Sequence, residues 1–239
     1  MTSSPGRWLI FDADDTLFDY RAAEDCALAA TFASAGVAFQ PDWAPVYRTV
    51  NARAWRELEA GRINQARLRT SRFEELFAEL GLALDAAEFG SAYLGHLSRQ
   101  TQLVDDALEV VEALRSGHGI AVVTNGLAEV QRPRFATSPL GRHVDHLVIS
   151  EEVGIAKPDP AIFALALERM GDPDPHEVLV VGDSLASDIA GGNAAGLATC
   201  WFNPRGLERT SEVTPTHEIR RLAELPALVE RRGASGWSP

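Results

Sequence analysis

The stretch LIFDADDTLFD, residues 9–19, runs from three apolar residues directly into acidic ones. A short apolar run that stops at acids is typical of a strand buried on both faces of a parallel sheet. The acidic side chains that follow are Asp12, Asp14, Asp15 and Asp19. Carboxylates this close raise one another's pKa, because each negative charge makes the next ionisation more costly. A divalent cation at the end of the strand would offset that repulsion, so the stretch predicts a metal site.

The composition is that of an ordinary globular chain of 239 residues, 46% hydrophobic and 23% charged. This length suits one domain, or one domain with an insertion. The formal net charge of −12 argues against a nucleic acid polymer as partner and against an anionic membrane surface. An anionic substrate could still bind where a metal ion, a lysine or backbone N–H groups supply positive potential.

Three features bear on the compartment of the protein. The two cysteines, Cys26 and Cys200, lie far apart and fit no metal-binding pattern, which indicates small apolar residues in a reducing compartment. The first residues, MTSSPGRW, contain no apolar run of the kind found in a signal peptide. No segment approaches the ~18 apolar residues of a membrane span. We therefore expect a cytoplasmic protein that does not bind membranes.

The order of predicted elements indicates the fold class and the domain organisation. Apolar residues recur at helical spacing through residues 19–100, where glycines and a proline separate about four predicted helices. On both sides of that segment apolar strands alternate with helices, which predicts an α/β fold with a doubly wound, mainly parallel sheet. We expect residues 1–18 and 101–239 to form this catalytic core, with residues 19–100 inserted as an α-helical cap.

Polar residues follow several of the predicted strands at the point where each strand ends. They are Asp12 and Asp14 after the first strand, Thr124, Asn125 and Gly126 after the second, Lys157 beyond the third and Asp183 after the fourth. Because ligands bind at the carboxyl ends of strands in open α/β sheets, we expect these side chains to share one rim. Each residue alone has an ordinary alternative: a turn or capping aspartate, a turn-forming Asn-Gly pair, or a solvated surface lysine.

Four short motifs occur along the chain in the order DADDT, VVTNG, AKPDP and VGDSLASD. Together with the helical insert, they resemble the motifs and the cap of the haloacid dehalogenase (HAD) superfamily, whose core is Rossmann-like. The stretches FDADDTLFD and GGNAAGLATCWFN are similar to its pyrimidine 5'-nucleotidase branch. The resemblance implies a Mg²⁺-dependent phosphomonoesterase that hydrolyses nucleoside 5'-monophosphates, preferably pyrimidine ones, through an aspartyl-phosphate intermediate. Its partner would be a small-molecule phosphate ester, and the oligomeric state stays open.

The resemblance also implies a role for each polar residue of the rim. Asp12 would attack phosphorus as the nucleophile and split one difficult displacement into two easier steps. Asp14 would protonate the leaving alkoxide and then activate the water that releases phosphate. The full assignment is Asp12, Asp14 and Lys157 for catalysis, Thr124, Asn125 and Gly126 for phosphoryl binding, Asp12, Asp14 and Asp183 for the magnesium ion, and Asp188 beside these ligands. Mg²⁺ keeps few protein ligands, which suits so small a set.

Other activities fit the same scaffold. A sugar phosphatase or a phosphomutase of the superfamily would differ mainly in the contacts of the cap. A haloacid dehalogenase needs neither a leaving-group acid nor Mg²⁺, and in that branch the position of Asp14 is typically aromatic, so the carboxyl here favours phosphoryl transfer. A catalytically silent binding protein is the last alternative, but every expected catalytic position is filled.

Several residues keep two interpretations open. In the cap, aromatic residues could stack on a base or pack inside the cap, and basic residues could meet a nucleotide or face solvent. These are Tyr47, Trp55, Phe73 and Phe77, and Arg53, Arg56, Arg62 and Arg67. Asp15 occupies a position where many members of the superfamily carry glycine, and Asp19 is expected to cap the first helix or to act as a hinge. Asp188 could also be an ordinary residue in the first turn of a short glycine-rich helix.

Overall fold

The computed structural model of the chain describes residues 7–209, 212–231 and 237. The strands within them are β1 (Trp8–Phe11), β2 (Gly119–Thr124), β3 (His146–Ile149), β4 (Val178–Gly182), β5 (Ala198–Phe202) and β6 (His217–Ile219). They form one sheet in the order β3-β2-β1-β4-β5-β6, and every neighbouring pair is parallel. The predicted fold class is therefore confirmed, and the sheet is parallel throughout.

The helices of the described residues fall into two groups. The insert contains α1 (Tyr20–Ser34), α2 (Trp43–Glu59), α3 (Gln65–Leu80) and α4 (Ala86–Leu97). The core contains α5 (Ala107–Leu114), α6 (Ala128–Thr137), α7 (Ser150–Val153), α8 (Pro160–Arg169), α9 (Ala190–Ala194) and α10 (Leu225–Arg231). The insert thus lies between the first and second strands of the sheet.

Both faces of the sheet are covered, which explains the continuous apolar run of β1. Leu9 and Phe11 are buried on one face in a cluster with residues of α5 and α10. Trp8 and Ile10 are buried on the other face in a cluster with residues of α8. Since successive side chains of a strand point to opposite faces, a strand covered on both sides has no polar face.

The strand order reverses between β1 and β4, which lie side by side at the centre of the sheet. The chain leaves these two strands in opposite lateral directions, so a crevice opens outside their carboxyl ends. This crevice is where an open α/β sheet binds its ligand.

The helices of the insert share a cluster of buried aromatic residues, and this cluster also packs against the part of the chain that contains the sheet. Phe32 and Phe77 both pack against Phe89, with ring centroids 4.7 and 5.0 Å from it. Leu127 and Val130, at the start of α6, belong to the same buried cluster. The segments that join the two parts are paired: the Asp19 N–H donates to the Gln102 carbonyl at 3.0 Å, and residues 17 and 104 make a second such bond. The insert is therefore held above the carboxyl ends of the central strands.

The sequence does not predict α6, α7 or β6. α6 contains Pro133 and several polar residues, so it shows no clear apolar stripe, and α7 is a single turn. β6 has only three residues at the edge of the sheet. The tail of residues 233–239, expected to be loose, lies outside the described residues except for Trp237, which is buried against the His217 ring.

No helix among the described residues is both long enough and apolar enough to cross a membrane. Cys200 is buried in β5, as a small apolar residue would be, whereas Cys26 is exposed on α1.

Candidate active site

The predicted polar residues meet at the carboxyl ends of three neighbouring strands. Asp12 follows β1 directly, and its N–H donates to the Val181 carbonyl of β4 at 2.9 Å. Asp183 follows β4, and Thr124 is the last residue of β2. Because β2, β1 and β4 are adjacent, segments that are far apart in the sequence share one rim.

Three carboxylates lie at the switch point between β1 and β4. One oxygen from each of Asp12, Asp183 and Asp188 lies within 4.8 Å of the others. Burial raises the pKa of Asp12 to about 7, although Lys157 opposes that shift. Burial also raises the pKa of Asp183 to about 8, and the charges of Asp12 and Asp188 add to the effect. The negative charge here is therefore under-compensated by the protein alone.

The residues present fit a divalent cation. The Asp183 carboxylate accepts no hydrogen bond within the described part of the chain, although it is half-buried beside other acids. A carboxylate without donors in such a place is costly unless a cation neutralises it. Hard oxygen ligands such as these suit Mg²⁺.

Lys157 is the buried counter-charge of the acidic cluster. Its ammonium contacts the Asp12 carboxylate, the Asp188 carboxylate at 2.7 Å and the Val123 carbonyl at 2.7 Å. Burial alone would lower the pKa of Lys157, but Asp12 and Asp188 raise it above its usual value, so the side chain stays charged. With 4% exposure, it is not the solvated surface lysine of the alternative interpretation.

The side chain of Asn125 supports Lys157 and does not point freely at a phosphoryl position. Its Nδ2 donates to the Lys157 carbonyl at 2.9 Å, and its Oδ1 accepts from the Lys157 N–H at 2.9 Å. The Gly126 N–H is also engaged, because it donates to the Thr124 hydroxyl at 3.0 Å. A hydroxyl that accepts this bond can still donate its own hydrogen. Thr124 is thus the member of the predicted set whose side chain keeps a donor for a phosphoryl oxygen.

Asp188 lies both in a helical turn and against the site. Its Oδ2 accepts from the Ser184 N–H at 3.0 Å, at the start of the π-helical turn Leu185–Ile189. A Cβ at Gly182 would overlap this carboxylate, so glycine at the end of β4 leaves the space that Asp188 occupies. Since Oδ1 of Asp188 lies 2.7 Å from the Lys157 ammonium and Oδ2 accepts from the Ser184 N–H, its geometry fits support of Lys157 and of the loop better than direct metal binding.

The carboxylate of Asp14 is held by two residues of α6 that the sequence does not predict to be part of the site. Its Oδ1 accepts from Arg134 Nη1 at 2.5 Å, and its Oδ2 accepts from Gln131 Nε2 at 2.7 Å. Both partners belong to α6, and both are buried, with 0% and 1% exposure. The Arg134 guanidinium also lies 4.2 Å from the centre of the Phe18 ring, which fixes its plane. A Cβ at Gly126 would overlap the Gln131 amide, so that glycine admits Gln131 to the site.

Asp15 and Asp19 shape the loop that leaves the site. Asp15 has φ +59°, a left-handed conformation that favours glycine and that Asp tolerates better than most residues. This conformation fits the glycine that the resemblance to the superfamily implies for this position. Asp19 accepts a hydrogen bond from the Ala22 N–H at 2.9 Å and so caps α1, which confirms the capping interpretation.

A cavity of about 230 Å³ lies between the acidic cluster and the insert. Its wall on the insert side is formed by Tyr20, Asn51, Trp55 and Glu59. Of the aromatic candidates, only Trp55 lines this cavity, whereas Tyr47, Phe73 and Phe77 are buried in the cap core. For these three, packing is the correct interpretation.

The four basic candidates of the cap are exposed and lie outside the cavity wall. Arg53, Arg62 and Arg67 pair with glutamates of the cap, namely Glu75, Glu57 and Glu74. Arg56 is also exposed. The interpretation as solvated helix-face residues is therefore the correct one.

Comparison with known proteins agrees with this geometry. A model of the haloacid dehalogenase-like hydrolase family matches residues 7–196. The chain belongs to this family. It is 36% identical to the HAD-hydrolase YfnB of Bacillus subtilis, over 92% of this chain and 93% of that protein. It is also 36% identical to the pyrimidine 5'-nucleotidase YjjG of Escherichia coli, over 93% of this chain and 97% of that protein.

Solved structures of the family support the same conclusion. The crystal structure of YfnB bound to magnesium has a TM-score of 0.88 at 35% identity, covering 93% of this chain and 98% of that one. A 2-haloacid dehalogenase from Pseudomonas syringae has a TM-score of 0.67 at 27% identity, covering 94% and 98%. The same fold therefore occurs with more than one named activity, so the activity of this hydrolase must be argued from its site residues.

Proposed function

We propose that this hydrolase cleaves nucleoside 5'-monophosphates, preferably pyrimidine ones, with Mg²⁺ and through an aspartyl-phosphate intermediate. The observation that carries the proposal is the placement of two carboxyl groups with different surroundings on one loop. Asp12 lies against Lys157 and the acidic cluster, while Asp14 lines the same cavity but is held by α6. Two carboxyl groups in different environments suit a nucleophile and a separate proton carrier.

Family membership and the carboxyl at position 14 identify the chain as a phosphoric monoester hydrolase. Cleavage of a phosphate ester produces an alkoxide, which needs a proton to leave. The superfamily resemblance puts an aromatic residue at this position in dehalogenases, where a halide leaves without a proton. The acid at position 14 therefore favours the phosphatase over the dehalogenase.

The proposed reaction has two displacements. In the first, an Asp12 oxygen bonds to phosphorus while the phosphorus–alkoxide bond breaks, and Asp14 gives its proton to the alkoxide. In the second, Asp14 takes a proton from water, and the water oxygen bonds to phosphorus while the bond between phosphorus and the Asp12 oxygen breaks. Inorganic phosphate leaves, and Asp12 is a carboxylate again. Lys157 stays protonated throughout and holds the Asp12 oxygen next to it. The carboxylates of Asp12 and Asp183 and the Asp14 carbonyl would hold Mg²⁺, which would supply positive charge for the phosphoryl oxygens.

The nucleotide part of the proposal rests on the relatives and on the cavity. YjjG is named a pyrimidine 5'-nucleotidase, and the chain matches nearly all of it. The cavity above the acidic cluster is small and has the indole of Trp55 in its wall, which suits a single planar ring next to a phosphate.

A panel of phosphate monoesters tests this function. With Mg²⁺ present, we expect kcat/KM for uridine and deoxyuridine monophosphates to exceed that for ribose 5-phosphate by at least about tenfold, because base contacts add transition-state binding. EDTA should abolish turnover, and added Mg²⁺ should restore it. The panel should also contain thymidine and adenosine monophosphates and glucose 6-phosphate. Chloroacetate, which is not a phosphate ester, should be assayed beside them to test for dehalogenase activity. A clear preference for sugar phosphates would contradict the nucleotide assignment, and release of chloride would contradict the phosphatase assignment.

Mg²⁺ should stabilise the protein more strongly at about pH 8 than at about pH 5.5. In the metal-free protein, burial raises the pKa of Asp12 and Asp183 above their unfolded values, so their ionisation costs stability as pH rises from about 4 through about 8. A dication reverses that cost, and saturation at about 100 Kd corresponds to a rise in melting temperature of roughly 5–10 °C. Thermal unfolding with EDTA or Mg²⁺ at both pH values measures the effect.

The variant Asp183→Asn gives this measurement its control. It should raise the melting temperature in EDTA, because one buried charge is gone, and should lose most of the rise caused by Mg²⁺. Asp105→Asn, which changes an exposed acid outside the site, should behave as the wild type. An unchanged response to Mg²⁺ in Asp183→Asn would remove Asp183 from the metal site.

A further inference from the structure

Three residues of α2 form a stripe that faces the cavity. Asn51, Trp55 and Glu59 follow one another at intervals of four residues and all line the cavity. Since a helix turns once in 3.6 residues, side chains at this spacing lie on one face. The stripe passes from a buried amide at Asn51, with 6% exposure, through the partly buried indole to an exposed carboxylate. The leaving group attached to the phosphate thus faces a wall of the insert whose side chains become more exposed from Asn51 to Glu59.

The orientation of the Asn51 amide is set by a neighbouring arginine. Arg72 Nη1 lies 3.0 Å from Asn51 Oδ1. A guanidinium has only donors, so the amide atom that faces it must be the carbonyl oxygen. The Nδ2 group makes no hydrogen bond within the described residues. It is therefore a free donor, and the cavity has a donor and no acceptor at this point.

Arg72 is held too firmly to release Asn51. It is 1% exposed, and its guanidinium carbon lies 5.1 and 5.2 Å from the ring centres of Phe73 and Tyr93. Its Nε and Nη2 have no hydrogen-bond partner among the described residues. Rotation of the Asn51 amide would place N–H groups against a buried cation and would remove the one bond that this guanidinium makes. The amide therefore keeps one orientation.

We propose that Asn51, oriented by Arg72, donates a hydrogen bond to a ring carbonyl oxygen of the substrate base, while Trp55 packs against the face of that base. The proposal rests on the nucleotidase function proposed above and adds a specificity-determining residue to it. Pyrimidine bases carry a carbonyl oxygen, whereas adenine carries none. A donor fixed opposite that oxygen therefore favours pyrimidines over adenine, whose acceptors are ring nitrogens at other positions of a larger, bicyclic base, and Arg72 acts as a positioning residue for the donor.

The substrate pair for the test is uridine monophosphate and ribose 5-phosphate, which share the phosphate and the sugar but differ in the base. Asn51→Ala should lower kcat/KM for uridine monophosphate by about 10- to 100-fold, the usual effect of losing one buried hydrogen bond. The value for ribose 5-phosphate should stay within about twofold, because the phosphate site is untouched. The preference for uridine over adenosine monophosphate should shrink by a similar factor. Arg53→Ala, an exposed residue of the same helix that lies outside the cavity wall, should change none of these ratios.

Two further variants separate recognition from folding. Asn51→Asp replaces the Nδ2 donor by a second acceptor oxygen. It should lower kcat/KM for uridine monophosphate at least as much as Asn51→Ala does. Arg72→Lys should reduce the preference for uridine monophosphate over ribose 5-phosphate in the wild-type background but have little further effect when Asn51 is already Ala. If Arg72 had a purely structural role, Arg72→Lys would instead lower kcat/KM for both substrates, whether residue 51 is Asn or Ala.

The outcomes for the two proposals can be told apart. If kcat/KM of the wild type is the same for ribose 5-phosphate and uridine monophosphate, the nucleotidase function is wrong. Base recognition by Asn51 is then wrong too. If the wild type prefers uridine monophosphate but Asn51→Ala affects both substrates equally or neither, the nucleotidase function stands and the role of Asn51 is overturned.

Discussion

Asp12→Asn should lower turnover of a nucleoside monophosphate by at least about 10³-fold, because an amide cannot replace a carboxylate as the nucleophile. The fold should survive. Burial already disfavours the charge of Asp12, and Lys157 keeps its ion pair with Asp188 at 2.7 Å. We expect the melting temperature of the variant in EDTA to equal or exceed that of the wild type.

Acid quenching during turnover gives the decisive measurement. The wild type should carry one phosphoryl group on the peptide that contains residue 12, and the Asn variant should carry none. Asp15→Asn is the matched control, since it makes the same change three residues later and asparagine tolerates the left-handed backbone at φ +59°. Substantial turnover by Asp12→Asn, or an unmodified wild-type peptide under conditions that trap acyl phosphates, would contradict covalent catalysis.

The sheet could be predicted because its central strands are apolar on both faces. Each residue of β1 and β4 is buried, so the local pattern and the tertiary environment agree. β6 escapes such a prediction because it has three residues at the edge of the sheet. Asp12, Lys157 and Asp183 could be named in advance because the carboxyl ends of parallel strands meet at one rim whatever the details of the loops.

The partners of Asp14 could not be predicted in the same way. Gln131 and Arg134 lie in a helix without a clear apolar stripe, where polar residues normally face solvent. Their burial depends on partners far away in the sequence, since Asp14, 117 and 120 residues away, accepts a hydrogen bond from each of them. The one usable signal is their spacing of three, which puts both on the same face of a helix that starts next to the rim.

The cap shows the same limit for aromatic residues. Trp55 and Phe73 both recur at helical spacing, so their local patterns are equivalent. Phe73 packs against Tyr47 and lies in the cap core, while Trp55 lines the cavity. Which stripe faces the cavity depends on how α2 and α3 pack together and on where the insert rests on the core. No periodicity within one helix carries that information.

Asp14→Asn should produce a loss that depends on the leaving group. For a nucleoside monophosphate, whose alkoxide needs a proton, we expect kcat to fall by about 10²–10⁴-fold, the usual share of general acid–base catalysis. For p-nitrophenyl phosphate, whose phenolate leaves without a proton, formation of the aspartyl-phosphate should be nearly unaffected. Hydrolysis of that intermediate should still be slow, because Asp14 is also the base that activates water. The variant should therefore release a burst of nitrophenolate equal to the enzyme concentration and then turn over slowly.

This burst separates a catalytic role of Asp14 from a structural one. Asn at position 14 keeps one acceptor for Arg134 or Gln131 but turns its amide N–H group toward the other donor and removes the charge opposite a buried guanidinium, so we expect the melting temperature to fall by several degrees while the protein stays folded. A variant that merely distorted the loop would slow the attack of Asp12 on both esters and show no burst. Equal losses on the two substrates would thus reassign the proton transfers to another group, while a burst with a stalled second step would place both transfers on this one carboxyl.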